Sequence, residues 1–353
     1  MTSLSFLFLS QEDVIECGGL DARKCVETID KTFKLHAKGE TLMGGPSRHE
    51  HGILLSWPGV NISTGKRMMA MPAWVGGEFN MAGCKWYGAN VRNPTEHNLP
   101  RSSHIITLND PETGIPLAVM DGTLISAMRT GAAAAVGAKY LARIDSEMVA
   151  MLGAGVINRT TLMCDIHAMK NLKKVKIFDI RKEKSKAFSQ EMSRRLGLEI
   201  ECTDSMEAAI KDSDVCHLAT AGESDPTLES RWFREGSVLD AVSDFVGSDD
   251  ILLRADRVVV DDIEMHRAMA PYSPENLLCT LMIQGRMKWN DLVELGAVAI
   301  GSKRGRLSDE EKITLCIEGM AIEDIAWACA VYKEALKRGF GRTLDLYKAP
   351  FAI

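Results

Sequence analysis

A glycine-rich turn with a carboxylate downstream is the pattern that most directly suggests chemistry in this sequence. Gly153-Ala154-Gly155 follows the apolar run Met148–Leu152, and Val156-Ile157-Asn158 continues from it. Such glycines allow a tight turn and a bare backbone, so that the N-terminus of the next helix faces a pyrophosphate. Asp179 stands 26 residues after Gly153, where a carboxylate accepts hydrogen bonds from both ribose hydroxyls of a dinucleotide. The pattern therefore predicts a dinucleotide site.

The residues around Asp179 bear on which dinucleotide binds. An acid at this place favours NAD, whereas Arg181, two residues on, would suit the 2′-phosphate of NADP. Asn158 stands where the usual fingerprint has its third glycine, and a glycine turn in a domain that binds no nucleotide is the alternative interpretation. We expect NAD, with NADP as the alternative.

The elements that would position this turn alternate between strand and helix. Ile125–Ala142 and Ser185–Leu196 have helical patterns, and short apolar runs lie around them at Met148–Leu152, Val175–Phe178, Val215–Ala219, Val238–Val242 and Val258–Val260. Nearly continuous apolar strands that alternate with helices are typical of a parallel, doubly wound α/β sheet of the Rossmann type.

The rest of the chain predicts a second, α+β domain. Its expected helix is Leu20–Leu35. Its expected strands are Leu4–Leu9, Ile53–Ser56, Met68–Pro72, Ser103–Leu108 and Ala118–Met120. Asp309–Arg338 is predicted as one long helix that ends at Gly339 and packs back on this domain, and Asp345–Ile353 as a tail. The predicted domains are therefore residues 1–129 with 322–353, and residues 130–321.

Composition narrows the class of protein. The 353 residues are 46% apolar and 25% charged, as in ordinary globular proteins, and the formal net charge of −6 argues against a nucleic-acid binder. Nine scattered cysteines without a CxxC suit reduced thiols. No run reaches the roughly 18 apolar residues of a membrane span, and Met1–Ser10 lacks the basic region of a signal peptide. We expect a cytoplasmic protein.

Four segments of the chain together resemble the ornithine cyclodeaminase/mu-crystallin family. They are Lys85-Trp86-Tyr87-Gly88, the stretch from Asp121 to Ala132, the glycine turn with Met151-Leu152 before it, and Gly296–Gly301 followed by Ser308–Glu311 and Ile322-Glu323-Asp324. The resemblance implies a Rossmann domain plus a substrate-binding and dimerisation domain made from both chain ends, and a homodimer. It also implies an NAD(P)-dependent oxidoreductase that acts on the C–N bond of an amino acid or an opine-like N-substituted amino acid, or that reduces the matching imine. A cyclodeaminase of ornithine or lysine with unconsumed NAD, and a non-enzymatic crystallin-like binder, are the alternatives.

The resemblance also assigns three basic residues to the substrate carboxylate: Arg48, Lys85 and Arg129. An arginine fixes a carboxylate in position and in plane, so the Cα–H is presented to the nicotinamide. Lys85 beside two guanidinium groups would feel like-charge repulsion, which lowers its pKa and makes it a proton shuttle as well as a clamp.

The sequence departs from the ornithine cyclodeaminases at two acids. The segment Leu54–Pro58 has no glutamate, and in Ala241–Phe245 the family's aspartate aligns with Phe245, with Asp244 one residue off. A cationic substrate side chain needs a carboxylate partner, so these departures argue against ornithine deamination. Asp244 remains our expected acid/base or amine contact.

Further contacts are expected around these residues. Trp57, Trp86 and Phe245 are expected either to line a larger, flatter pocket or to pack in the core. Asn90 and Arg92 are expected to bind a second substrate carboxylate, and no metal is expected. The predicted cofactor contacts are Thr130, Gly153, Ala154, Gly155, Val156, Ile157, Asp179, Ile180, Arg181, Thr220, Ala221 and Val242.

Overall fold

A computed structural model describes residues 3–57, 66–220, 226–242, 244–273 and 276–351. The chain forms two compact units, Met1–Arg129 with Met320–Ile353, and Thr130–Gly319. The roles that the sequence assigned to its two domains, substrate binding with dimerisation and dinucleotide binding, stay predictions.

The first unit is built on an eight-stranded mixed sheet. Its order is β18-β1-β7-β6-β5-β4-β2, and β3 also pairs with β4. The strands are β1 (Leu4–Leu9), β2 (Thr41–Met43), β3 (Ile53–Ser56), β4 (Arg67–Val75), β5 (Met81–Ala89), β6 (Ser102–Asn109), β7 (Pro116–Asp121) and β18 (Arg342–Tyr347). Among the described strands of this sheet, β1 and β7 pair in parallel and the other neighbours pair antiparallel. Because β18 pairs with β1, strands from the first and the last part of the chain lie in one sheet.

Helices cover one face of this sheet. They are α1 (Gln11–Val14), α2 (Ala22–Ala37) and α11 (Ala321–Arg338), and α11 packs on α2, β4 and β5. The last helix is buried along most of its first two turns and ends at Gly339, whose φ of 71° suits a glycine. Helix α3 (Thr123–Leu141) begins in this unit and continues into the other.

The second unit is a parallel α/β sheet with the order β10-β9-β8-β11-β13-β17-β15-β16. Its strands are β8 (Met148–Leu152), β9 (Lys174–Phe178), β10 (Glu199–Cys202), β11 (Val215–Leu218), β13 (Val238–Ala241), β15 (Arg257–Val260), β16 (Val293–Glu294) and β17 (Ile313–Cys316). A separate pair joins β12 (Thr227–Leu228) to β14 (Val246–Gly247). The helices are α4 (Val156–Ala168), α5 (Lys182–Leu196), α6 (Met206–Ile210), α7 (Asp250–Leu253), α8 (Ile263–Met269), α9 (Leu277–Ile283) and α10 (Leu295–Ala299).

The strand order confirms the predicted doubly wound α/β class. The chain runs outward from β8 through β9 and β10, then returns to β11 on the other side of β8. The crevice beyond the carboxyl ends of β8 and β11 is where sheets of this topology bind ligands. Among the described residues, no helix combines the length and the apolar character that crossing a bilayer requires.

Two predicted elements at the C-terminal end were wrong. Asp309–Arg338 is not one helix, because Ile313–Cys316 forms the buried strand β17 between β13 and β15, and Gly319 (φ 87°) precedes α11. The predicted tail begins inside β18, whose last residues, Asp345–Tyr347, it includes, and β18 pairs antiparallel with β1. In both places the backbone hydrogen bonds of a sheet, which join distant parts of the chain, decide the structure.

Candidate active site

A buried ion pair between Lys85 and Asp324 is the centre of the site in the first unit. Lys85 lies on β5 at a position whose neighbours alternate in burial, so its side chain turns toward α11. Its Nζ is 2.7 Å from Oδ2 of Asp324 and 3.4 Å from Oγ of Ser126, and Lys85 is only 2% exposed. A lysine at that burial requires a charged partner, which Asp324 provides.

Arg129 completes the ionic cluster from helix α3. Its Nη1 lies 2.8 Å from Oε2 of Glu323, and its Nε lies 3.2 Å from Oδ2 of Asp324. Both acids come from the first turn of α11, where the helix dipole also favours negative charge. Two cations and two carboxylates therefore face each other in the interior of this unit.

Burial and charge set the protonation of this cluster in opposite directions. Burial lowers the pKa of Lys85 to about 8; Asp324 opposes this shift, and Arg129 adds to it. Burial raises the pKa of Asp324, but Arg129 and Lys85 outweigh it and hold that pKa below its ordinary value. Arg129 has a raised pKa because its two carboxylates overcome the effect of burial. The pKa of Lys85 is therefore lowered, as the sequence predicts. Burial is the largest cause of this shift, whereas the prediction rests on repulsion from two guanidinium groups.

Two aromatic rings extend the site from Lys85. The Lys85 Nζ lies 5.7 Å from the centroid of the Tyr87 ring, and the His104 ring stacks on Tyr87 at 5.0 Å. Burial, with a smaller contribution from Lys85, lowers the pKa of His104 to about 3. His104 is therefore a neutral imidazole, and it is not the proton donor at neutral pH.

Arg48, the third predicted carboxylate ligand, lies on the turn between β2 and β3. It is exposed and has a φ of 63°, and its backbone carbonyl accepts a hydrogen bond from Met43. The described contacts join Lys85 and Arg129 through Asp324 but do not include Arg48. Its role stays a prediction.

The three aromatic residues that were expected to line a pocket or to pack in the core differ in their burial. Trp86 is 46% exposed and alternates with Lys85 and Tyr87, so it lies on the opposite face of the sheet. Phe245 is 4% exposed in the apolar core of the second unit. Trp57 is 37% exposed, and the Lys66 ammonium lies over its ring at 4.6 Å.

Asn90 and Arg92 lie on a surface turn after β5. The Asn90 backbone N–H donates to the carbonyl of Arg101, and its side chain accepts from the Arg92 N–H. The Arg92 guanidinium is 3.8 Å from Glu96, and both side chains are largely exposed. Their predicted contact with a second carboxylate stays untested.

The second unit holds the predicted dinucleotide turn. Gly153 has a φ of 97°, and a Cβ there would lie 2.5 Å from the carbonyl oxygen of Ala219, so only glycine fits. Gly155 is the N-cap of α4, and a Cβ on it would meet nothing within 4 Å. Val156 and Ile180 on either side are 59% and 85% exposed. The turn thus offers a bare backbone, a helix N-terminus and exposed apolar side chains, which suit a dinucleotide.

Asp179 closes this turn at the end of β9. One carboxylate oxygen accepts the Ala154 N–H at 2.9 Å and the other accepts the Arg181 N–H at 3.0 Å. The Arg181 guanidinium is 3.6 Å from the same carboxylate and is 57% exposed. Asp179 therefore joins the glycine turn to the start of the segment after β9, and its contact with a ribose stays a prediction.

Four of the remaining predicted cofactor contacts lie on α3, on α4 and after strands β11 and β13. Ile157 lies in the first turn of α4, and Thr130 is buried on α3. Val242 donates its N–H to Leu218, and Thr220 follows β11. Ala221 lies outside the described residues.

Sequence reasoning missed two residues that hold the turn. Asn158 is fully buried, and its Nδ2 donates to the carbonyls of Leu152 and Gly153 at 2.9 and 2.7 Å, which explains why no third glycine stands there. Arg159 donates to the carbonyls of Ala154 and Gly155 and pairs with Glu191 at 2.9 Å. The signal in the sequence for this role was that Asn158 and Arg159, an amide and a guanidinium side chain, follow closely after the glycine turn.

Asp244 lies beyond β13 in the second unit. Asn276, the N-cap of α9, donates its Nδ2 to Asp244 at 2.6 Å and to Glu318 at 3.2 Å. Asp244, which aligns one residue away from the family's aspartate, is therefore held at the carboxyl end of the parallel sheet, and Glu318 shares its amide partner. Its catalytic role stays a prediction.

Glu323 and Asp324 are the site residues that sequence reasoning did not assign. In the sequence they belong to the C-terminal segment that carries the family resemblance. A usable signal was present, because two acids sit among apolar residues at the start of α11, from Ala321 to Ala328, and both are fully buried. Buried acids need cationic partners.

Comparisons with known proteins show which family and which relatives this chain resembles. A model of the ornithine cyclodeaminase/mu-crystallin family matches residues 21–339. The N-((2S)-2-amino-2-carboxyethyl)-L-glutamate dehydrogenase of Staphylococcus aureus is 30% identical over 343 residues, which cover 97% of this chain and 98% of the relative. The Delta(1)-pyrroline-2-carboxylate reductase of Thermococcus litoralis, solved with NADH and L-proline, is 29% identical with a TM-score of 0.83 and covers 96% and 99% of the two chains. An archaeal alanine dehydrogenase dimer with bound NAD is 29% identical with a TM-score of 0.83, over 98% and 100%.

Proposed function

The chain belongs to the ornithine cyclodeaminase/mu-crystallin family, and on this premise we propose an NAD-dependent oxidoreductase that acts on the C–N bond of an amino acid or N-substituted amino acid, or reduces the matching imine. The observation that carries the proposal is the buried Lys85–Asp324–Arg129 cluster. It supplies a titratable ammonium beside a guanidinium, which suits a substrate with a carboxylate next to a reacting nitrogen.

NAD is the cofactor that the second unit fits best. Asp179 presents a carboxylate where the ribose hydroxyls would lie, and the helix N-terminus at Gly155 suits the pyrophosphate. When bound, NADH supplies a hydride to the imine carbon, or NAD accepts one from the Cα of an amine.

Arg129 and Arg48 are the proposed ligands of the substrate carboxylate. Glu323 and Asp324 hold the Arg129 guanidinium in one orientation before substrate arrives, so little ordering is needed on binding. A planar guanidinium orients the carboxylate, which in turn orients the adjacent carbon.

Lys85 is the proposed proton donor and acceptor. With a pKa of about 8 it is mostly an ammonium at pH 7 and can protonate the nitrogen of an imine as hydride adds to the carbon. In the oxidative direction the neutral amine accepts the proton that the substrate nitrogen loses. Asp324 holds the Lys85 Nζ in place and moderates its pKa.

A homodimer is proposed through the exposed face of the first sheet. The register places Ile53, Ala70, Trp86 and Ile105 in one row across β3, β4, β5 and β6. Ile53, Trp86 and Ile105 are 68%, 46% and 50% exposed. A continuous apolar row on a sheet is typical of a protein interface, and the archaeal alanine dehydrogenase is a dimer.

Cyclodeamination of a diamino acid is the second candidate. It is favoured by Asp244 and Glu318, two carboxylates on one amide at the sheet edge that would suit a substrate ammonium. It predicts ammonia and a cyclic amino acid with no net change in NADH.

The test is a substrate screen with matched variants. Purified protein is given NADH and 2-oxo acids with ammonia or primary amines, and the reduced-nicotinamide absorbance is followed. We expect turnover that Lys85→Ala lowers by about 10²- to 10⁴-fold. Lys31→Ala, which removes an exposed lysine of the same unit from its pair with Glu78, should leave turnover unchanged. Equal turnover in Lys85→Ala and the wild type would refute the site.

A further inference from the structure

We propose that Arg159 is a positioning residue for the dinucleotide, which acts on the glycine turn from the side opposite the ligand. Its guanidinium fixes and polarises the two peptide units whose N–H groups face the pyrophosphate, and Glu191 moderates its charge. The inference rests on the proposed function, because that function places a pyrophosphate at this turn. Arg159 thereby changes the affinity for the ligand without touching it.

The first two N–H groups of the turn are already used inside the protein. The Gly153 N–H donates to the last carbonyl of β9 at 2.8 Å, and the Ala154 N–H donates to Asp179 at 2.9 Å. The next two, on Gly155 and Val156, have no partner in the described contacts, as is usual at the start of a helix such as α4. They are therefore the donors that the turn offers to an anion.

Arg159 binds the carbonyl groups of the same two peptide units. Its Nη1 donates to the carbonyls of Ala154 and Gly155, the latter at 3.1 Å. In a planar trans peptide, the carbonyl and the N–H that follows it point in opposite directions. A guanidinium on these carbonyls therefore keeps the N–H groups of Gly155 and Val156 turned away from Arg159. Because hydrogen bonds in series polarise one another, it also makes these N–H groups stronger donors.

The turn leaves its ligand side open and keeps Arg159 behind it. Gly155 and Val156 lie at the surface, and a Cβ on Gly155 would meet no atom within 4 Å. The Arg159 side chain is 23% exposed. An anion can therefore reach the two N–H groups, while the guanidinium acts on them through the peptide units.

Two residues of α5 hold the Arg159 guanidinium in place. Its Nε lies 2.9 Å from Oε2 of Glu191, and its Cζ lies 5.2 Å from the ring centroid of the buried Phe188. Glu191 and Phe188 are three residues apart on one helix, so they share a face and restrict the guanidinium together. The Glu191 carboxylate is 43% exposed, and solvent screens its effect, so it weakens the field of the arginine without cancelling it.

The two partners of this ion pair should therefore have opposite effects on ligand binding. Replacement of Arg159 removes a positive charge and two carbonyl contacts from the turn. Removal of the Glu191 charge, with an amide oxygen left to accept the hydrogen bond, keeps the guanidinium in place and strengthens its field. A pair that served the structure alone would lower affinity whichever partner was replaced.

The test measures the affinity for NADH and for ADP-ribose by calorimetry. Arg159→Gln should weaken the binding of both ligands by about tenfold, and its NADH affinity should depend less on salt than that of the wild type. Arg159→Lys keeps the charge but not the planar fork, so it should lose about threefold. Glu191→Gln should strengthen NADH binding by about twofold at low salt.

Arg267→Gln is the matched control. Arg267 pairs with Glu264 at 2.8 Å and lies 5.5 Å from the ring centroid of Trp289. Its replacement removes the same kinds of contact from α8, away from the glycine turn, and should leave both affinities unchanged. Circular dichroism checks the folding of each variant, and if Arg159→Gln does not fold, Arg159→Lys and Glu191→Gln decide the question.

Binding needs no hydride transfer, so failure of this inference and failure of the proposed function can be told apart. Weaker binding in Arg159→Gln together with tighter binding in Glu191→Gln supports the role of Arg159 even if no substrate consumes NADH. Losses in both variants, or unchanged binding in Arg159→Gln, overturn that role alone. A wild type that binds neither NADH nor ADP-ribose overturns both.

Discussion

The ammonium of Lys85 lies 2.7 Å from the carboxylate of Asp324, although 239 residues separate them in the chain. This pair joins a sheet strand from the first third of the sequence to the helix that closes the same unit. Because both groups are buried, each stabilises the charge of the other, and Arg129 also stabilises the charge of Asp324.

Asp324→Asn should move the pH dependence of turnover to lower pH. Asp324 raises the Lys85 pKa against the effect of burial, so its neutralisation lets that pKa fall below about 8. The variant should also lose about 3–5 kcal/mol of unfolding free energy, as when one partner of a buried pair is removed. Glu78→Gln, at the exposed Lys31–Glu78 pair, should cost less than about 1 kcal/mol. An unchanged pH profile in Asp324→Asn would contradict the coupling.

The rates of the reductive and the oxidative reaction should depend on pH in opposite ways. The Lys85 ammonium is needed for reduction, so the reductive kcat/KM should fall as pH rises through about 8, and the oxidative kcat/KM should rise over the same range. Lys85→Arg keeps the charge but cannot release its proton, so it should be slow and should lose this inflection. Rates measured from pH 6 to 10 decide the matter, and an inflection retained in Lys85→Arg would assign it to another group.

Asp179→Asn should weaken NADH binding by about tenfold, since it removes a charged hydrogen-bond acceptor. The ratio of NADPH to NADH affinity should rise, because the carboxylate no longer repels a 2′-phosphate. Titration of nicotinamide fluorescence measures both constants. Arg181→Ala should leave NADH affinity nearly unchanged. If Asp179→Asn binds both cofactors like the wild type, Asp179 does not face the ribose.

Trp86→Glu should separate the proposed dimer. A carboxylate in the middle of the Ile53–Ala70–Trp86–Ile105 row is unfavourable once covered by a second copy. Light scattering on a sizing column should give the mass of one chain for this variant and of two for the wild type. Ile144→Glu, at a 95% exposed residue of the second unit, should remain a dimer. A dimeric Trp86→Glu would move the interface elsewhere.

His217 should make stability fall in alkaline solution. Its ring lies 2.8 Å from Asp240 and 3.2 Å from Asp165, all three fully buried. Burial lowers the pKa of His217, but the two acids outweigh it and raise that pKa to about 10, against about 6.5 in the unfolded chain. The stabilisation is therefore complete below about pH 6.5 and is lost as pH rises through about 10. The free energy of unfolding, measured with urea at several pH values between 7 and 10, should fall less steeply with pH in His217→Gln than in the wild type. An equal dependence on pH in the two proteins would assign the effect to other groups.

The fold could be predicted from the sequence where local pattern and burial agree. Leu4–Leu9 and Met148–Leu152 were placed correctly because each apolar run is also a strand. Ile313–Cys316 was not, since a four-residue segment that includes a threonine and lies next to a long helix has no period of its own. Its partners β13 and β15 lie far away in the sequence.

The site could be predicted only in part for the same reason. Lys85 and Arg129 were assigned by resemblance, and the structure brings them together through Asp324. No spacing in the sequence links Asp324 to Lys85.

Transfer of deuterium from [4-²H]NADH tests directly whether a hydride passes from the cofactor to the substrate Cα. The protein is incubated with the labelled cofactor, in both stereochemical forms, and the best 2-oxo acid and amine pair, and the product is analysed by mass spectrometry. Hydride transfer to Cα should leave one deuterium at the product Cα from one form of the cofactor, with one NAD formed for each product molecule. Product that appears without net NADH consumption, or without label from either form, would contradict it.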